Sequence, residues 1–130
     1  DVEREQRLAR QQALGLVPRL EADFRERDFG VFEGLTEAEA AQRYPALAAR
    51  NAAYRWDEEP PGAEATRAVV ARVERGLQQL RAQHDGQTVL LVSHGFVVRC
   101  LRYLLDGLSD DAFFAAERIP NGAFLTRELP

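Results

Sequence analysis

The sequence predicts an α/β protein, a three-layer α/β/α sandwich with a mostly parallel central sheet. Three observations carry that expectation. Residues 88–93, TVLLVS, form a continuous apolar run between Asp85-Gly86 and His94-Gly95, the pattern of a strand buried on both faces. A long helix over about 63–84 precedes it, with Val69, Val73, Leu77 and Leu80 at helical spacing, and a second helix from Gly95 to Leu105 follows it. Helices alternating with strands in this way pack in layers.

In chain order, DVEREQRLARQQALG reads as the tail of a helix closed by Gly15, and residues 16–20 as a short extended piece with Pro18 at a sheet edge. FRERDFGVFEGLT is an ordered loop in which two glycines and clustered charges interrupt the aromatics. Thr36 and Glu39 make a capping box for a helix to about Tyr44, which Pro45 disrupts. The stretch at about 46–61 is a lid-like, Ala-rich insertion, the segment most expected to move. Asp106-Gly107 stops the helix that begins at Gly95, Ser109 caps a short helix, and GAFLTREL closes the chain as an alternating strand. The whole of 1–130 reads as a single domain. Few strands are visible for such a sheet.

With 130 residues and 45% hydrophobic content the chain can bury a core of its own. Its 21 acidic against 17 basic residues leave a net charge of −4, which gives no electrostatic reason to bind nucleic acid or an anionic membrane. Any anion must therefore be held by a few placed groups. All seventeen basic residues are arginine, the side chain suited to forked recognition of phosphate or carboxylate. The lone cysteine, Cys100, excludes an internal disulfide and is assigned to the core. Two histidines and one cysteine argue against a zinc site, and no metal or cofactor is expected. No apolar run approaches the roughly 18 residues of a membrane span. A cytoplasmic location is the expectation.

His94 occupies the junction between a strand's carboxyl end and the next helix, where ligands bind in open α/β sheets. Gly95 lets a ligand approach the backbone, and the helix N-terminus favours an anion there, especially phosphate. A buried histidine satisfied by backbone at a tight turn fits the same position. His84, at the end of a polar helix, reads as solvated. Glu26 stands among Arg25, Arg27 and Asp28 in the two-glycine loop, which frames either a solvated charge cluster or side chains aimed at a site.

Together these stretches resemble the histidine phosphatase superfamily, the phosphoglycerate mutase-like proteins. Phe24-Arg25-Glu26 and the following Arg27-Asp28-Phe29-Gly30-Val31-Phe32-Glu33-Gly34 are similar to the family's Leu-x-Glu and Gly-x-(Trp/Phe)-Glu-Gly pattern. PPGAEA looks like its Pro-Gly-Gly-Glu-Ser segment, VLLVSHGFVVRCLRYLL like the strand and helix of its second histidine, and IPNGAFLTREL like its last turn and strand. The resemblance implies metal-independent hydrolysis of a phosphomonoester, a phosphorylated small molecule, through a phosphohistidine. In that scheme Glu26 is the general acid, its pKa raised by a nearby phosphate dianion, and then the base for water. His94 and Gly95 bind the phosphate. DVEREQRLA resembles the family's Ser-x-Leu-x-Arg-Ala stretch, so Arg4 is either a phosphate ligand or a solvated helix arginine. Arg27 contacts the substrate's non-reacting part or is a surface residue beside Asp28, and Asn121 is a substrate contact or a turn former. Trp56 packs the lid.

One departure is large. The family's nucleophilic histidine lies in a first strand ending in Arg-His-Gly, and that tripeptide occurs nowhere in this sequence. The expectation is that the N-terminal strand and the start of the first helix are missing from these 130 residues, which would leave a broad apolar face exposed. Two alternatives stay open: phosphoglycerate mutase-type phosphoryl transfer, and a non-catalytic binding domain if Asp1 is the true start. The short interval between Glu26 and His94, and Phe96 where the mutases carry Asn, favour the phosphatase branch.

Overall fold

The computed structural model describes residues 2–15 and 18–129, so the expected extended piece at 16–20 lies partly outside the described residues. Helices α1 (Val2–Ala13), α2 (Glu37–Arg43), α3 (Pro45–Ala49), α4 (Thr66–Gln83), α5 (Gly95–Asp106) and α6 (Asp110–Ala115) follow in order. Single 3₁₀ turns at Ala22–Phe24, Gly30–Phe32 and Ala52–Tyr54 lie between them.

Local chemistry sets these boundaries. Gly15, at φ +70°, closes α1, its N–H reaching the Gln12 carbonyl at 3.0 Å. The capping box at α2 forms as expected: Glu39 N donates to Thr36 Oγ1 at 3.2 Å, and Thr36 N donates to Glu39 Oε2 at 2.8 Å. Pro45 does more than end α2. It opens α3 at its first turn, where a missing N–H costs nothing. Gly107 in the left-handed region ends α5, and Ser109 Oγ accepts from Ala112 N at 3.2 Å to start α6.

The core sits between α4 and α5. Val69, Val73 and Leu77 are buried on one stripe of α4, and Val69 and Val73 cluster with Val97 and Cys100 of α5 and Phe24 of the first 3₁₀ turn. Phe113 of α6 closes it, fully buried, with the Trp56 ring tilted 45° against it at 4.6 Å centroid to centroid. Trp56 Nε1 also donates to the Asp110 carbonyl at 3.0 Å, which ties the 46–61 stretch to α6. Ala52, Ala53 and Pro60 of that stretch are buried. Burial pushes the Cys100 thiol up to about 12, so it packs as a small hydrophobe.

The three-layer sandwich expected from the sequence is not found. Among the described residues the only β pairing is an isolated antiparallel bridge between Phe29 and Ala63. Residues 88–93 and 122–129, both expected as strands, form no ladder, and Leu90, Val92 and Phe124 are 81%, 84% and 86% exposed. The reason is physical. An apolar run reports a preference for burial, whereas a strand exists only where a neighbouring strand receives its N–H and C=O groups. Among the described residues, no backbone partner of that kind reaches 88–92. Leu20, at 95%, joins the exposed apolar set.

Candidate active site

The loop carrying Glu26 is held by a buried arginine. Arg72 of α4, 4% exposed, donates from Nη1 to the carbonyls of Asp23 and Arg25, each at 2.8 Å, and from Nη2 to the Glu26 carbonyl at 3.3 Å. It also forks onto the Glu64 carboxylate at 2.7 and 3.0 Å. That hydrogen bond is the main reason the Glu64 carboxyl lies below its ordinary pKa. Gly76, one turn further along α4, lets the loop come close: a Cβ there would fall 2.7 Å from Phe24 Cζ. Gly30 does the same on the other side. At φ +60° it lies against the Pro61 carbonyl, which accepts from Val31 N at 3.0 Å.

So anchored, Glu26 meets the start of α5. Its Oε1 accepts from Arg27 N at 2.9 Å and its Oε2 from Phe96 N at 3.4 Å, one of the first free N–H groups of α5. His94 is the N-cap of that helix, its carbonyl accepting from Val98 N at 2.8 Å, and its side chain is exposed. Ser93 Oγ donates to the Phe24 carbonyl at 3.0 Å and fixes this junction to the Glu26 loop. A cavity of about 230 Å³ opens here, lined by Glu26, Gly95 and Asn121 among the expected residues, and by Arg99, Arg102 and Arg118.

The structure thus brings Glu26, Gly95 and Asn121 together, with His94 adjacent. Arg4 lies on exposed α1 and does not line the cavity. Arg27 is a buried residue, 1% exposed, and does not line it either. Its Nε donates to the Glu64 carbonyl at 2.8 Å and its Nη1 to the Ala53 carbonyl, while its guanidinium stacks on Phe96 at 4.7 Å and Phe29 at 5.2 Å. Burial pulls its pKa below the ordinary arginine value. Arg27 therefore clamps the 52–54 turn onto the Glu26 loop. Arg72, Arg99, Arg102 and Arg118 were not expected from the sequence. The signal for Arg72 was its place on the apolar stripe, three residues after Val69 and four before Gly76. For Arg99 and Arg102 it was their spacing of four and seven from Gly95, which puts them on one helix face.

The profile of the histidine phosphatase superfamily, branch 1, matches residues 1–126. The chain belongs to this superfamily. A bifunctional protein of Mycobacterium tuberculosis is 42% identical over 99 residues, 72% of this chain and 26% of that protein. Phosphoserine phosphatase 1 of Hydrogenobacter thermophilus is 32% identical over 95 residues, 69% of this chain and 43% of that one. Phosphoglycerate mutases also match. Among solved structures, the native mycobacterial glucosyl-3-phosphoglycerate phosphatase superposes with a TM-score of 0.71 at 27% identity, over 85% of this chain and 57% of that one. The chain spans less than half the length of these two curated relatives. Since no ladder pairs among the described residues, the likeness of this superfamily member to the solved structure is one of chain path. No helix among the described residues is long and apolar enough to cross a membrane.

Proposed function

We propose that this site hydrolyses a phosphomonoester through a phosphohistidine, without metal. The observation that carries the reading is the Glu26 carboxylate at the N-terminus of α5, beside the His94-Gly95 junction. The helix end offers free N–H groups and positive potential to the equatorial phosphate oxygens, and the exposed His94 imidazole adds a donor. A phosphate dianion placed there disfavours the ionised form of the adjacent Glu26, which then holds the proton that the leaving alkoxide needs. Once the alcohol departs, the same carboxylate takes a proton from the water that cleaves the phosphohistidine. The phosphoryl acceptor is the imidazole that the family resemblance places in an Arg-His-Gly segment. Arg4 is the second arginine on the phosphate by the same resemblance. Asn121 contacts the substrate from the loop after α6. Arg27, held by two carbonyls, supports the site from behind.

Hydrolysis of p-nitrophenyl phosphate in EDTA, together with equilibrium binding of vanadate, tests the proposal. Glu26→Gln should lower turnover by about 10²- to 10⁴-fold, the usual cost of losing an acid–base group. His94→Ala should lose vanadate affinity as well as turnover. Full activity in Glu26→Gln removes the acid–base assignment, and unchanged vanadate binding in His94→Ala removes the phosphate role. Vanadate binding without turnover, in a protein that carries the Arg-His-Gly segment, selects the non-catalytic binding domain.

A further inference from the structure

Two asparagines occur in the sequence, Asn51 and Asn121, and a glycine, Gly122, follows the second. Asn121 lines the cavity with Glu26, Gly95, Arg99, Arg102 and Arg118, and both Asn121 and Gly122 are exposed. They form the centre of a turn closed by Ala123 N, which donates to the Pro120 carbonyl at 3.2 Å. That bond does not use the Gly122 N–H. Among the described residues, no hydrogen bond holds either this N–H or the Asn121 carboxamide. Gly122 has a φ of +77°, and the space that a Cβ would take there is open.

An unbonded asparagine amide beside an unbonded glycine N–H is a reactive pair. Once the Gly122 nitrogen gives its proton to a solvent base, it attacks Asn121 Cγ. A nitrogen–Cγ bond closes a five-membered imide, the Cγ–Nδ2 bond breaks, and ammonia leaves after taking a proton from water. Water then adds to either imide carbonyl and opens the ring, which gives aspartate or isoaspartate at this position. Glycine speeds the attack because no side chain shields its nitrogen and its backbone turns freely. The guanidiniums lining the cavity favour both the deprotonated nitrogen and the carboxylate that replaces the amide.

Elsewhere the same chemistry is blocked. Asn51 precedes Ala52, which is fully buried at the start of a 3₁₀ turn. Asp106 precedes Gly107, but the Gly107 N–H donates to the Tyr103 carbonyl, and Arg127 forks onto the Asp106 carboxylate at 2.6 and 3.0 Å.

We propose that Asn121 is a site of spontaneous deamidation, and that the carboxylate this leaves in the cavity weakens phosphate binding there. The effect on binding rests on the reading above that phosphate sits at the α5 N-terminus. The modification itself does not.

Two measurements test it. The chain is incubated at neutral pH and in mild alkali, digested, and mapped by mass spectrometry. The peptide carrying Asn121 should gain the mass difference between an amide and an acid, faster in alkali. The Asn51 peptide should stay unchanged, and the Asn121→Ser variant should gain nothing. No gain at Asn121 after weeks, or an equal gain at Asn51, overturns the modification site. Titration calorimetry with inorganic phosphate then reads the consequence. Asn121→Asp should bind phosphate about fivefold more weakly than Asn121→Ser, which removes the amide without adding charge, and the gap should shrink as salt is raised. Equal affinity of the two variants, or a gap that salt leaves unchanged, overturns the effect on binding. A native chain that binds no phosphate overturns the phosphate reading and the binding effect with it, while the mass map still decides the modification.

Discussion

The loop from Asp23 to Glu33 and the run from Gln87 to His94 meet at one hydrogen bond, Ser93 Oγ to the Phe24 carbonyl, yet they invert the usual partition of side chains. At the first, charge is buried: Arg27 within it and Arg72 of α4 beneath it are 1% and 4% exposed. In the second, Val89, Leu90 and Val92 face solvent, and Leu91 alone packs against the core. The difference lies in where each segment finds its partners. Arg72 takes three carbonyls from one short loop distant in sequence and a carboxylate from eight residues away, so its fork is filled. The apolar run needs a ladder from distant chain, and none of the described residues provides one. The desolvated charge of Arg72 is tolerated because carbonyls and a carboxylate take up its fork.

The strongest way to break this comparison is Arg72→Met. It leaves the Glu64 carboxylate without its fork and three carbonyls without their donor. A loss of about 3–5 kcal/mol in urea denaturation is expected, the range for removing one partner of a buried ion pair. A loss below about 1 kcal/mol would show that the arginine merely fills space. Gly30→Ala comes next. Its left-handed φ and the Pro61 carbonyl in the path of a Cβ together predict a loss of about 2–4 kcal/mol, from backbone strain and overpacking.

A pH series sharpens the same point. The folded-state pKa of Glu64 is depressed, first by the Arg72 hydrogen bond. Its contribution to stability is therefore complete above the ordinary carboxylate pKa and is lost as pH falls through the depressed value. Urea midpoints measured from pH 7 down to pH 3 should fall on the acid side, and less steeply in Glu64→Gln. An identical acid slope in both would contradict the linkage. The smallest effect belongs to the exposed run: Leu90→Gln and Val92→Gln should each change stability by less than about 0.5 kcal/mol. A loss of 2 kcal/mol at either position would mean that those side chains are buried in solution.

Much of the helical skeleton was legible because its signals are local. The Thr36–Glu39 capping box, Ser109 as a cap, the stops at Gly15 and Gly107, and the Val69–Val73–Leu77 stripe each depend on neighbours within a few positions. The family was legible from motif order, and the meeting of Glu26, Gly95 and Asn121 followed from it. Arg27 shows the limit. Beside Asp28 it reads as solvated or substrate-bound, and only folding reveals the Ala53 and Glu64 carbonyls that bury it. The arginines at 99, 102 and 118 were equally opaque, since Arg118 reaches the cavity by way of a loop.

By itself the sequence determined where helices begin and end, which stripe of α4 enters the core, and which family the chain belongs to, because capping, helical periodicity and motif order act over short stretches of chain. Tertiary structure alone decided that TVLLVS and GAFLTREL form no ladder, that Arg72 and Arg27 are interior clamps, and that three arginines share a cavity with Glu26. Each of these depends on acceptors, donors or charges contributed by residues distant in sequence.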